Sequence, residues 1–266
     1  MTATARPPRR RILAWPRRLD SALLPFALGW FTLQTNSALF AKTEASRARE
    51  PAAGAVALTS APGQKTVLSL PFDGVWGVVQ GMDSGGTHSG YASYALDFVP
   101  AEPVSESVFR KRKRLTDHPC YGKPILAPAD GRVVWAKDGA RELAPFQDSR
   151  KHEAGNFVIL QHTPDELSEF RHLQRGSIAV KPGDLVRAGQ MIGRCGNSGN
   201  AVTPHLHFGF LGSYQPIATR PMRFSNYQVM VARGVWEAGD GDPKKGQILR
   251  ATPGTAPAAA PAEVKR

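Results

Sequence analysis

The sequence predicts an all-β protein, a compact antiparallel sandwich or open barrel with long loops, and three observations lead to it. Short runs of Val, Ile, Leu and aromatic residues recur between Gly, Pro and Asp turns, which is the rhythm of strands. Apolar residues at helical spacing are weak throughout. The hydrophobic fraction of 41% over 266 residues is enough for a real core, in one large domain or two small ones.

The elements follow in order. Arg6, Arg9, Arg10, Arg11, Arg17 and Arg18 precede the apolar stretch Ala22 to Leu33, the charged-then-apolar order of an export signal. Pro25 and the polar run Gln34 to Ser37 leave that stretch short of the roughly 20 apolar residues a membrane span needs. A cut after Ala41 would place the bulky Leu39 where a small residue is preferred, so residues 1–41 read as a removed signal or an uncleaved signal anchor. The expected location is the periplasm or the cell wall and exterior, free or anchored by that segment. Residues 42–64, rich in Ala, Pro, Gly and Ser, bury too little surface to offset their ordering entropy and read as a linker.

Strands are expected at Val67 to Leu70, Val75 to Gln80, Gly131 to Lys137, Asn156 to Gln161, Gln190 to Cys195 and Leu206 to Leu211. At most a short helical turn fits the sequence, near Pro164 to Leu167. These place a single domain at 65–235 and a C-terminal extension at 236–266, low in complexity from about Ala251. No repeat at solenoid periods is present.

The chemistry concentrates in Thr203-Pro204-His205-Leu206-His207-Phe208. Side chains alternate along a strand, so His205 and His207 stand side by side while Leu206 and Phe208 point into a core. One imidazole is free to hold a metal and its neighbour to touch a water on that metal. Three earlier residues, His88, Asp97 and His172, are of types that bind zinc or move protons. Singly, each histidine is a satisfied or solvated imidazole; the conjunction is what points to a site.

The order of motifs resembles the lysostaphin and LytM-type zinc metallo-endopeptidases, which cut the peptide part of peptidoglycan. The resemblance runs from about Leu68 to Phe224. It rests on Tyr94-Ala95-Leu96-Asp97-Phe98 after an upstream His88, Gly122 to Gly131, Gly155-Asn156-Phe157-Val158-Ile159, Arg171-His172-Leu173, Gly183 to Gln190 and Pro204-His205-Leu206-His207-Phe208. It implies zinc held by His88, Asp97 and His207, with His172 and His205 as catalytic groups beside the water that the metal activates. Three N or O ligands leave a fourth tetrahedral position open, the mark of a catalytic zinc site. The division of labour between His172 and His205 cannot be read from spacing.

Two departures from the family pattern stand out. His88 and Asp97 are nine positions apart, where the best-known members have four, so the insert Ser89 to Ser93 must loop to bring them together. Phe170 replaces a tyrosine often found there, removing a hydroxyl that could touch substrate. His162 could line the cleft or serve the structure, and His118 and His152, in polar loop-like surroundings, are read as non-ligands.

Rival motifs fail. His152-Glu153 lacks the second histidine of a helical zinc signature, Gly196-Asn197-Ser198-Gly199 lacks nucleophile-elbow spacing, and no phosphate-binding Gly-Lys-Ser/Thr loop occurs. A biotinyl or lipoyl carrier would need a modifiable lysine at a hairpin tip, and none is present. Cys120 and Cys195 are either bridged, as an oxidising compartment permits, or two separate thiols with Cys195 buried in a strand.

The net charge is +12, of which residues 1–41 supply +5. Within the remainder, Arg110-Lys111-Arg112-Lys113-Arg114 is either a solvated loop or a dock for anionic wall polymers or phospholipid head groups. No recognition helix or stacking platform accompanies the charge, which disfavours nucleic acid. The expectation is an exported, zinc-dependent endopeptidase acting on peptidoglycan peptides. The alternative is a metallopeptidase-like protein that binds wall or regulates another hydrolase without cutting.

Overall fold

A computed structural model describes residues 63–83, 88–103, 105–147, 154–214, 217–239 and 241–253. The export signal, the linker up to residue 62, His152 and the chain from residue 254 lie outside the described residues. The strands, in chain order, are β1 (Val75–Gln80), β2 (Leu96–Pro100), β3 (Pro124–Leu126), β4 (Gly131–Lys137), β5 (Phe157–Thr163), β6 (Glu166–Arg171), β7 (Leu185–Val186), β8 (Met191–Arg194), β9 (Leu206–Tyr214), β10 (Ile217–Thr219), β11 (Tyr227–Ala232), β12 (Val235–Ala238) and β13 (Ile248–Ala251). One short helix, α1 (Glu106–Arg110), is capped by Ser105, whose hydroxyl accepts from the Val108 N–H.

The expected all-β antiparallel class is borne out. One large sheet runs β12-β11-β13-β1-β2-β9-β6-β5-β4-β7, with β10 added beside β9, and β3 and β8 form a separate two-stranded sheet. The large sheet does not close on itself, since β12 and β7 end its order as edges. Its lower face carries Phe98, Val158, Phe170, Leu206 and Phe208, which pack in one cluster with Ile125 of β3 and Ile192 of β8. The small sheet thus covers this core, and the opposite face of the large sheet carries a second, smaller cluster of Phe157, Ile159, Leu167 and Leu211.

The alternation that buries Leu206 and Phe208 sends His207 to the upper face, as the strand period requires. Asp97 on β2 pairs with His207 on β9, so two residues 110 apart in sequence become cross-strand neighbours. Sheet register, set by the buried Leu96, Phe98, Leu206 and Phe208, is therefore what builds the site.

Three expectations need correction. Val67 to Leu70 forms no strand and only bridges at Leu68 to Phe224. Pro164 to Leu167 is not helical, because β5 runs to Thr163 and β6 starts at Glu166, so Pro164 and Asp165 are the tip of a hairpin. The sheet also continues past residue 235, with β13 paired to both β1 and β11.

Candidate metal centre and its histidines

His88, Asp97 and His207 come together on the upper face, each offering a ligand atom within 4.8 Å of the others. All three are buried. The long insert between the first two is compact: Gly90–Ala92 forms a 3-10 turn, Ala92 is buried, and the Thr219 hydroxyl donates to the Tyr91 carbonyl while accepting from the Tyr94 N–H. That clamp returns the chain to β2 with Asp97 beside His88.

The residues fit a cation on their own chemistry. His88 Nδ1 donates to the Gly81 carbonyl at 3.2 Å, which leaves the lone pair on Nε2. That Nε2 is buried with no hydrogen-bond partner and lies 3.1 Å from Asp97 Oδ1. His207 Nδ1 approaches the same oxygen at 3.0 Å. A lone pair aimed at a carboxylate oxygen is repulsive unless a proton or a metal ion intervenes. Burial opposes protonation of His88, but the adjacent Asp97 carboxylate raises its pKa above the ordinary value. Burial likewise opposes ionisation of Asp97, yet the His205 charge, the hydrogen bond from His207 and the adjacent His88 ring hold its carboxyl well below the usual carboxylate range. Two imidazoles and a carboxylate are a donor set suited to zinc, and they leave a coordination position open.

His205 and His172 stand next to this trio. His205 Nε2 is 3.7 Å from Asp97 Oδ2, and its Nδ1 donates to the Thr203 carbonyl at 2.7 Å. His172 has its ring centroid 4.7 Å from that of His205 and 5.7 Å from that of His207, with Nδ1 donating to the Ser198 carbonyl at 2.9 Å. Both imidazoles are therefore fixed by backbone carbonyls with Nε2 left as the free nitrogen. Burial, then the neighbouring His205 and His207, push the His172 pKa well below its ordinary value, which favours the neutral base.

The support beneath His172 explains the Gly155-Asn156 motif. A Cβ on Gly155 would meet the Ser198 carbonyl group at 2.6 Å, and one on Gly196 would meet the Gln174 backbone at 2.4 Å, so both close approaches require glycine. Asn156 then donates through Nδ2 to the Leu173 carbonyl at 3.1 Å and to the Ala140 carbonyl at 3.0 Å. The Ser198 hydroxyl donates to the Leu173 carbonyl and accepts from the Asn156 N–H.

Other sequence-singled residues fall elsewhere. Phe170 is fully buried against Phe208 on the lower face, so a hydroxyl at that ring would point away from the trio. His162 has both nitrogens engaged, Nδ1 by the Asp130 carbonyl at 2.7 Å and Nε2 by the Ser168 hydroxyl at 2.8 Å, which is a structural role. His118, read as a loop residue in polar surroundings, is instead buried against Phe109 and Phe146. The paired Glu169 and Arg171 beside the site escaped the sequence reading, because only the strand register shows that Arg171 neighbours His207.

The fold and this constellation define an all-β domain with a candidate metal centre on one face of its large sheet. Residues 115–219 match Peptidase family M23, the type to which the motifs pointed. The match includes His172, His205 and His207, while His88 and Asp97 lie upstream of it. Over 91 residues the chain is 36% identical to the peptidoglycan DD-endopeptidase ShyC of Vibrio cholerae, covering 34% of this chain and 19% of that protein. Over 103 residues it is 33% identical to the murein hydrolase activator NlpD of Escherichia coli, covering 39% and 23%. A zinc containing peptidase of Vibrio cholerae, known from its crystal structure, aligns at 24% identity over 55% of this chain and 37% of that one, with a TM-score of 0.37. The chain spans about a fifth of the length of these curated relatives.

Proposed function

We propose that the protein is an exported zinc-dependent metallo-endopeptidase that hydrolyses peptide bonds in peptidoglycan stem or cross-bridge peptides. The observation that carries this reading is the convergence of His88, Asp97 and His207, with the free nitrogens of His172 and His205 beside them. Zinc held by the trio would supply Lewis acidity, both to ease deprotonation of a water and to polarise the scissile carbonyl. His172 and His205 would orient that water, take its proton and return a proton to the departing amine. Similarity to peptidoglycan DD-endopeptidases supports the substrate class.

A second reading, a non-catalytic wall-binding regulator, is favoured by the similarity to a murein hydrolase activator. The presence of all five site residues favours catalysis. Exposed Lys111 and Lys113 would add a weak, salt-sensitive attraction to anionic polymers or membrane surface, while Arg112 and Arg114 are paired with Glu102 and Asp117. No helix among the described residues is long and apolar enough to cross a membrane.

The deciding experiment measures zinc per chain and soluble peptide fragments released from purified peptidoglycan, before and after chelation and with zinc restored. One zinc per chain with chelator-sensitive release is expected. Stoichiometric zinc with intact peptidoglycan would overturn the hydrolase reading in favour of a latent enzyme or a wall-binding regulator.

A further inference from the structure

The cross-strand row that carries two of the candidate ligands continues beyond them. Asp97 on β2 faces His207 on β9, His207 faces Arg171 on β6, and Arg171 faces Phe157 on β5. Such neighbours share one face of a sheet with side chains about 5 Å apart. Arg171 is therefore rooted one strand from His207, on the face that carries the metal trio.

Its surroundings fix how it stands. The guanidinium carbon lies 5.3 Å from the Phe157 ring centroid and 5.9 Å from that of Tyr91, which is half exposed in the insert between His88 and Asp97. Glu169, two residues earlier on the same face, is fully buried and ion-paired with Arg171 Nε. Neither Glu169 oxygen has a hydrogen-bond partner among the described residues, so Arg171 is the cation that makes this burial tolerable.

A buried ion pair is seldom retained for stability, since an apolar pair of similar volume is commonly as stable or more so. Orientation is what this one provides. With Nε turned to Glu169 and the plane held near two aromatic rings, the terminal nitrogens form the free edge of the fork. They are absent from the buried unpaired atoms, and the side chain keeps 13% of its exposure. A fixed, outward guanidinium fork is matched to a planar carboxylate through two parallel hydrogen bonds.

We propose that Arg171, positioned by Glu169, binds a free carboxylate that the substrate carries within about one residue of the bond to be cut, and so selects carboxylate over carboxamide peptides. The inference rests on the hydrolase reading for the bond and on the strand register for the placement. It narrows the substrate class to cross-linked peptides with an anionic group beside the scissile amide.

The test uses the full chain loaded with zinc and two synthetic cross-linked stem peptides, identical except that one has a carboxamide in place of the carboxylate next to the scissile bond. Cleavage and calorimetric binding are measured for both. The parent should favour the carboxylate peptide by about tenfold or more, mainly in KM and in binding. Arg171→Gln should bring the ratio close to one with zinc content unchanged, and Arg171→Lys should restore part of it. Because Arg171→Gln alone strands a buried Glu169, the double variant Glu169→Gln with Arg171→Gln, which leaves no unpaired charge buried, is read beside it.

Equal cleavage of both peptides by the parent, or discrimination retained in the double variant, overturns the inference and leaves the hydrolase standing. Discriminating binding without cleavage does the reverse. Neither binding nor cleavage overturns both.

Discussion

His172 leaves its strand by a backbone step that few residues take. With φ at 62° it occupies the left-handed region, at a cost of roughly 1–2 kcal/mol for a residue with a Cβ. Regular alternation would send it to the face opposite Arg171, into the core; the turn brings both side chains to the same side. Asparagine tolerates this conformation better than most residues. His172→Asn is therefore expected to unfold within about 1 kcal/mol of the parent in urea titration while its turnover falls at least about 100-fold. The neighbouring histidines should separate by role. His207→Ala is expected to lose both bound zinc, measured by metal analysis, and hydrolysis. His205→Ala should keep most of its zinc and lose about 100-fold or more in turnover. His88, Asp97, His172, His205 and His207, which the structure brings together, were legible in the sequence as a group, because each stood in a motif whose chemistry and order were interpretable. Glu169 and Arg171 were not. Their meaning depends on which strand lies beside β6, and no local pattern states that.

The loops between strands carry as much of the site as the strands do. Cys120 and Cys195 are bridged across 75 positions, resolving the two readings of the sequence toward a disulfide. The bridge joins the start of the β3 segment to the end of β8, where Cys195 also bridges to Leu173, the residue after His172. Closing a loop of this length contributes about 4 kcal/mol in the chain-entropy model. Replacing both cysteines by alanine should lower the urea midpoint accordingly, and an unchanged midpoint would show that the bridge carries no stability. At this scale the sequence placed β1 and β4 to the residue and β5, β8 and β9 closely. It misplaced the turn at Pro164, since proline followed by acidic residues opens a helix as readily as it tips a hairpin; only the pairing of Gln161 with Leu167 distinguishes them.

Stability of the whole molecule should be sensitive to mild acid through one residue far from the metal trio. His118 is buried beside Phe109 and Phe146, and that burial, with the Arg112 charge next, lowers its pKa from 6.5 to about 4. Between those values the unfolded chain binds the proton more readily, so stability rises with pH. The contribution is complete above about pH 6.5 and is lost as pH falls toward 4, up to about 3 kcal/mol. Urea unfolding at pH 7 and pH 4.5 should show the loss in the parent and much less of it in His118→Phe, which supplies an apolar ring. The global layout was legible only in class. That His207 and Arg171 share a face opposite Leu206 and Phe208 follows from alternation, but the pairing of β13 with β1 spans most of the chain and has no local signal. The same long-range construction governs timing. Asp97 and His207 are separated by 110 residues, which at about 5 to 20 residues per second take on the order of 5 to 20 s to be synthesised. During that interval a nascent chain holds His88 and Asp97 without their third partner, so the complete trio first exists only late in the making of each molecule.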